Sequence, residues 1–341
     1  MTRRGVLTGG TWCADHNKVV EFWPGENEVV EILSEDVAGG GSGCNLAVDL
    51  RKLDPAIPVA TVGVIGDDAD GRVLLAEADA WGIDRTRLAI APGVRTNYTD
   101  AFTSNRTGRR THIYLQGSSA VLNPEHFDFS DVSARYLHLG LPGIHRQMDR
   151  AWEGDANGWV TVLKKARKAG LTTNMEMCSI APDKLARIVR PCLEHLDLLI
   201  INDFEMSAIA GEPVVAAEAA DPEQVERMAR RVLALGAMAL VIAHYPEGAV
   251  AVTRDGAARF APSVAVPPEK VVGANGAGDA FAAGVMYGLH EGWALDRALR
   301  LGHAAAAASL RSLGTTEAVA PVEECLALAD RWGWRDARGS Q

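Results

Sequence analysis

The chain has 341 residues and a mass of 36.3 kDa, with 34 Lys and Arg against 44 Asp and Glu, a formal net charge of −10. Hydrophobic residues make up 48% and charged residues 23%, a globular balance that excludes wholesale disorder, a collagen-like chain and a disulfide scaffold. The negative surface disfavours nucleic-acid phosphates and anionic lipid, while leaving room for a local site that takes a small phosphate. At roughly 150 residues per domain, the length suggests about two domains, or one large α/β domain with an appendage. The five cysteines, Cys13, Cys44, Cys178, Cys192 and Cys325, include no C-x-x-C pair. Reduced thiols in a cytoplasmic protein are therefore expected, not zinc or disulfides. The basic N-terminal residues are not followed by an apolar core, so no signal peptide is expected. No stretch reaches the roughly 18 apolar residues of a membrane span.

In chain order, apolar β-prone runs alternate with helical ones. The pattern predicts a strand at 6–7, a helix over 45–53, a buried strand over 59–65 and a helix over 70–81. A strand follows at 136–139, a helix over 159–169 closed by Gly170, and a strand at 171–174. Next come a helix over 182–190 with Pro in its first turn, an apolar strand over 196–201, a helix over 222–235 and a strand at 239–243. This β-then-α rhythm argues for a mostly parallel sheet with helices on both faces. Residues 16–37 and 93–119 break it. They are rich in Thr, Val, Tyr and Phe, and Thr107-Gly108 separates two β-prone runs over 98–104 and 111–115, the pattern of a hairpin. A small antiparallel sheet from these two segments would cover a cleft, form a dimer interface, or both. Arg106, Arg109 and Arg110 on the hairpin could reach into such a cleft and suit a phosphorylated ligand, but are read first as a solvated turn.

The most informative stretch is 271–284, VVGANGAGDAFAAG. A glycine-rich turn runs into a helix, so the free N–H groups of Gly276, Ala277, Gly278 and Asp279 would converge on one spot that the helix dipole makes favourable for an anion. A carboxylate beside an anion hole repels a bound phosphate. It makes sense if the acid takes a proton from a hydroxyl that attacks the phosphate. The same residues also fit a helix that Asp279 merely caps. A dinucleotide fingerprint fits worse, because position 281 is Phe, and no Gly is followed by Lys as a Walker A loop requires. The second stretch, 37–47, VAGGGSGCNLA, is again a glycine turn opening a helix. Such backbone lets a polar ligand approach closely, with Asn45 offering a donor and an acceptor, or serving as a simple cap.

Together the two stretches resemble the two signatures of the ribokinase (PfkB) family of carbohydrate kinases. The resemblance extends to GGTWCADH at 9–16, GVIGDDADG at 63–71, Asn202-Asp203-Phe204-Glu205 as an N-x-x-E motif, and GTTEAVAP at 314–321. It implies a ribokinase-like three-layer α/β/α fold with a mostly parallel central sheet and a small β-sheet lid. The large domain would take 1–15, 38–92 and 120–335, and the lid 16–37 and 93–119, pairing with a second copy as a homodimer. The implied activity is transfer of the γ-phosphoryl group of ATP to a hydroxyl of a sugar or sugar-like substrate, with Mg²⁺. By resemblance, Asp279 is the general base, and Gly276, Ala277 and Gly278 form the anion hole. Asp15, Gly40, Gly41 and Asn45 hold the acceptor. Asn202, Glu205, Gly248 and His303 lie on the nucleotide side, with Glu205 reaching the metal through water. Asn202 and Glu205 also have capping-box spacing. The chain departs from the family at Gly273, where the family usually has an Asp tied to monovalent-cation binding, which leaves that cation open. It departs again at Ala243-His244-Tyr245, where Thr-x-Gly is usual. The alternatives are a nucleoside or sugar-acid kinase of the same family, or a sugar-binding regulatory homologue without turnover.

Overall fold

The computed structural model describes residues 3–212 and 220–336. Elements are numbered along the chain. Five parallel strands, β1 (Val6–Gly10), β4 (Val59–Gly66), β5 (Asp84–Ala91), β8 (Tyr136–Gly140) and β9 (Thr172–Met175), lie in the order β5-β4-β1-β8-β9. A second sheet takes β10 (Leu198–Asn202) and β11 (Leu240–Tyr245) in parallel, then β12 (Gly248–Thr253) and β13 (Ala258–Pro262) antiparallel. The two sheets join where the Asp197 amide donates to the Thr173 carbonyl (3.2 Å) and the Thr173 amide donates back to Asp197 Oδ2 (2.9 Å).

Period-two alternation along these strands separates two cores. Val6, Ile65, Ile200 and Ile242 point into one, with α1 (Ser42–Leu53), α2 (Ala69–Ala80), α7 (Ala277–His290), α8 (Leu295–Ser309) and α9 (Val322–Trp332). Leu7, Val64, Leu199, Ile201 and Val241 point into the other, with α3 (Gly158–Lys168), α4 (Pro182–Val189), α5 (Asp203–Ala210) and α6 (Pro222–Ala234). This is the expected α/β/α sandwich.

The third sheet, β3-β2-β6-β7, consists of β2 (Cys13–Val20), β3 (Ile32–Gly40), β6 (Tyr98–Ser104) and β7 (Arg110–Leu115). The hairpin turns where expected, with Gly108 at φ 68°. The sheet's first segment runs from Cys13 to Gly40, wider than the expected 16–37, so Asp15 sits on one of its strands. Arg109 is exposed and Arg106 lies over the Phe22 ring. Arg110, by contrast, is held by the Leu313 carbonyl and Asn17 Oδ1 and is no free solvated side chain.

Other differences have local causes. Helix α1 starts at Ser42, before the expected 45, because Gly41 at φ 85° turns the chain there. Helix α4 ends at Val189 and passes into a 3₁₀ turn over Arg190–His195 around Pro191. That turn delays β10 to Leu198. Strand β5 was not expected, since its sequence DRTRLAIA is that of a half-exposed edge strand.

The C-terminal ends of the parallel strands share one edge, and the N-termini of α1 and α7 face it, the usual ligand side of an open α/β sheet. Gly10 fixes this edge. It has φ 113°, a Cβ there would lie 1.6 Å from the Gly140 carbonyl oxygen, and the next amide, Thr11, donates to that oxygen at 2.9 Å. Gly10→Ala is expected to lose at least about 3 kcal/mol in chemical denaturation. Gly93→Ala, with a positive φ but open space around it, should lose about 1 kcal/mol.

Candidate active site

Helix α7 is small-residued and apolar, and Phe281, Val285 and Met286 anchor it in the core. Gly284 lets it approach α8 closely, since a Cβ there would lie 2.8 Å from Gly302 Cα. Its N-cap is Gly276, in the left-handed region at φ 73°, where a Cβ would meet the Thr315 carbonyl at 2.1 Å. The first-turn amides, those of Gly278 and Asp279 among them, have no intrahelical carbonyl to bond. Asp279 is the third helical residue and does not cap its own helix. Its Oδ2 accepts a 2.8 Å hydrogen bond from Asn45 Nδ2, and its carboxyl also bonds that of Glu176. Burial and the nearby Glu176 push the Asp279 carboxyl well above the usual carboxylate range.

Glu176 leaves β9 at the same edge. Its Oε2 lies 2.9 Å from His138 Nε2, and Asn174 Nδ2 is 2.9 Å from His138 Nδ1. The Asn174 amide donates to Nδ1, so the imidazole carries its proton on Nε2 and donates it to Glu176. Burial holds His138 neutral, down to about 4. Glu176 is pushed up to about 7 by burial, against the pull of its bond to Asp279, and Glu205 and Asp49 add to the rise. A hydrogen bond between two buried carboxyls requires one of them to carry the proton. Asp49 lies one turn beyond Asn45 on α1, with neither oxygen partnered, and burial raises it too.

Two cavities flank the α7 N-terminus. The first, of about 510 Å³, is walled by Asp15, Gly41, Asn45, Glu176 and Asp279 among others. Burial brings the Asp15 carboxyl up to about 6. Asn45 Oδ1 and Ser42 Oγ, in the same wall, are buried without partners and suit hydroxyl donors. Gly40 is not in the wall. A Cβ there would lie 2.3 Å from Asp15 Oδ2, so Gly40 makes room for that carboxylate.

The second cavity, of about 560 Å³, is walled by Asn202, His244, Tyr245, Ala277, Gly278 and His303 among others. His244 and His303 pack on either side of Phe281, with centroids 4.9 and 4.8 Å away. Burial holds both neutral, at about 4 and about 3. Asn202 and Glu205 form the expected capping box of α5: Glu205 N–H donates to Asn202 Oδ1 (2.8 Å) and Asn202 N–H to Glu205 Oε2 (3.3 Å). Burial lifts Glu205 to about 7. Gly248, expected on the nucleotide side, lies in neither wall. It is packed in the β11–β12 hairpin, where a Cβ would meet the Ala261 carbonyl at 2.6 Å. Tyr245 lines the second cavity with its hydroxyl buried and unpartnered. At Gly273 a Cβ would lie 2.9 Å from the Ser312 carbonyl, so this backbone leaves little room for a side chain.

The structure thus brings Asp15, Gly41, Asn45 and Asp279 to one cavity, and Asn202, Gly278 and His303 to the next. Sequence reasoning missed Glu176, Asp49 and His138. The signals were an N-x-E at the end of the strand Thr172–Met175, and an Asp four residues after Asn45, on the same helix face.

The chain as a whole is similar to known proteins. The family model for pfkB family carbohydrate kinases matches residues 6–322. A 5-dehydro-2-deoxygluconokinase of Clostridium perfringens is 26% identical over 83% of this chain and 81% of its own. An Arabidopsis thaliana ribokinase is 26% identical over 89% of this chain and 75% of its own. Among solved structures, Arabidopsis thaliana ribokinase complexed with ribose and ATP superimposes with a TM-score of 0.78 at 22% identity, covering 96% of this chain and 99% of that one. A Methanocaldococcus jannaschii nucleoside kinase gives 0.72 at 18% identity, covering 97% and 100%.

The carboxyl pair has a consequence for stability. Glu176 has a folded pKa raised from 4.5 to about 7. Its contribution is therefore fully present below pH about 4.5 and lost as pH rises through about 7. Glu176→Gln keeps an acceptor for His138 and a donor for Asp279. Its melting temperature should exceed that of the wild type at pH 8, with the difference closing by pH 4.5. A constant difference across that range would contradict the assignment.

Proposed function

The chain belongs to the pfkB family of carbohydrate kinases, and we propose on that footing that it transfers the γ-phosphoryl group of ATP to a hydroxyl of a sugar or sugar-like acceptor. The carrying observation is that one helix turn serves both cavities: Ala277 and Gly278 line the second and Asp279 the first. ATP binds in the second cavity, with its base side toward the neutral His303 wall and its phosphates toward Asn202 and Gly278. The acceptor binds in the first, its hydroxyls bonded to Asp15 and to the unpartnered Asn45 Oδ1. Gly40 acts through Asp15.

The reacting hydroxyl sits against Asp279. As its oxygen bonds to the γ-phosphorus, the bond to the departing ADP oxygen breaks and the hydroxyl proton passes to Asp279. Charge on the three transferring oxygens is met by the first-turn amides of α7, with Gly276 setting the turn that aims them. Asn45 holds Asp279 toward the acceptor. Mg²⁺, bound to the nucleotide phosphates, would add charge neutralisation there. The donor set fits such an ion held mainly by phosphate and water: Glu205 is a single buried carboxyl behind Asn202, and no group of three or more His, Cys, Asp or Glu among the described residues could form a full cage.

The small sheet acts as a lid, because Asp15, Thr99 and His112 on its strands face the acceptor. Closing it excludes water as a competing acceptor. Ile32, Val37 and Ile113 on the same sheet are about half exposed, which supports pairing of two lids in a homodimer. A monomeric mass by light scattering would contradict that pairing. Five free thiols and the need for ATP suit the cytoplasm. Tyr245, intruding on the nucleotide cavity, favours a second reading, a sugar-binding protein with little turnover.

ADP release across a panel of sugars, cyclitols and nucleosides separates the two readings. Stabilisation by a sugar with no ADP release from any acceptor would favour the second. Asp279→Asn should lower kcat about 10³-fold and leave acceptor affinity within about threefold; undiminished turnover would exclude Asp279 as base. Since the base must be ionised and its pKa is raised, kcat/KM should climb with pH above the usual carboxylate range.

A further inference from the structure

We propose that the phosphoryl acceptor is an uncharged polyol and that Glu176 is the side chain that turns anionic sugars away. This rests on the phosphotransferase reading above and narrows its substrate class.

The argument is the charge inventory of the first cavity. Its wall carries three carboxyl groups, Asp15, Glu176 and Asp279, delivered by the lid sheet, the end of β9 and the start of α7. Behind them, Glu205 and Asp49 add repulsion of the same sign. No lysine or arginine is among the described residues that form the wall. The one imidazole there, His112, is exposed at its strand position, yet partial desolvation of its ring and the nearby Arg110 shift it toward its neutral form. Arg110 lies outside the wall, near enough for its charge to hold Asp15 down and with its Nε buried and unpartnered, but its two terminal nitrogens are committed to Asn17 Oδ1 and to the Leu313 carbonyl (2.9 Å), so it offers no guanidinium fork to an anion.

A carboxylate or phosphate on the acceptor would meet like charge in a site sheltered from water, with no guanidinium fork to receive it. Sugar hydroxyls have the opposite fit. They donate to carboxylates and to the unpartnered Asn45 Oδ1, and accept from Ser42, Thr99 and Asn97 along the same wall.

Glu176 is the carboxyl of this wall that phosphoryl transfer does not require. Asp279 is the base and Asp15 binds hydroxyls, whereas Glu176 is fixed from behind by His138 and stands next to the reacting centre. It is a specificity residue. Replacing it by Gln preserves the bonds to His138 and Asp279, removes the charge and lets Asp279 ionise at lower pH, which is why the test reads a ratio between acceptors.

The test is ADP release by the whole chain with ATP and Mg²⁺ against two acceptor sets at matched concentrations. One set is neutral: aldoses, ketoses, cyclitols and nucleosides. The other is anionic: aldonates, deoxy-keto-aldonates and sugar phosphates. The best neutral acceptor should exceed the best anionic one by at least 100-fold in kcat/KM. In Glu176→Gln that ratio should fall at least tenfold, chiefly through a lower KM for the anions. An anionic acceptor leading in the wild type would overturn the proposal, and this ranking needs no variant to fold. An unchanged ratio in a folded Glu176→Gln would overturn the role of Glu176. ADP release from neither set would remove the kinase reading and this inference with it, whereas ADP release led by sugar acids would remove the inference alone.

Discussion

A single hydrogen bond, from Asn45 Nδ2 to Asp279 Oδ2 at 2.8 Å, joins residues 234 positions apart in the chain and closes the centre of the site. Both residues sit in the first turns of helices, α1 and α7, that rest on the same core. The bond therefore reports how accurately that core places two helix N-termini at one sheet edge. Its geometry depends on close approaches that only small residues allow: Gly284 against Gly302, Gly276 against Thr315, and Gly40 against the Asp15 carboxylate. The chemistry of the site is a consequence of that packing.

The electrostatics follow from the same enclosure. Sheltering Asp15, Glu176, Glu205 and Asp279 together raises the carboxyl pKa values, because each charged form loses water and meets like charge. The counterweight is a set of neutral donors: the Asn45 amide, His138 Nε2 and the free amides opening α7. A centre of this kind is suited to receiving a proton and to accepting hydroxyl donors. On the far side of α7 the wall changes character, to neutral imidazoles, Phe281 and backbone N–H groups. The helix thus separates a carboxyl-lined side from a side of neutral rings and backbone N–H groups.

Much of this was legible in the sequence because the signals are local. A glycine turn ahead of an apolar helix fixes where backbone N–H groups are free, and both such turns fall at the site. Alternating apolar runs told strands from helices well enough to place eleven elements within a few residues of their observed limits. What escaped depends on distant partners. Glu176 lies just past the short strand Thr172–Met175, and its meaning comes from His138 and Asp279. Gly248 has the sequence context of a ligand loop, yet the hairpin of β11 and β12 folds it against Ala261. Arg110 resembles its neighbours Arg106 and Arg109 until Asn17 and Leu313 are brought to it by the tertiary fold.

The central claim is that the phosphoryl group moves across the first turn of α7. The most direct measurement is a crystal structure of the chain with ADP, Mg²⁺, a planar metal-fluoride mimic of the transferring group and an acceptor alcohol. The account predicts the mimic between the two cavities, within about 3 Å of a first-turn amide of α7, with the acceptor oxygen in contact with Asp279. A mimic bound away from that helix end, or an acceptor oxygen facing some other base, would contradict it.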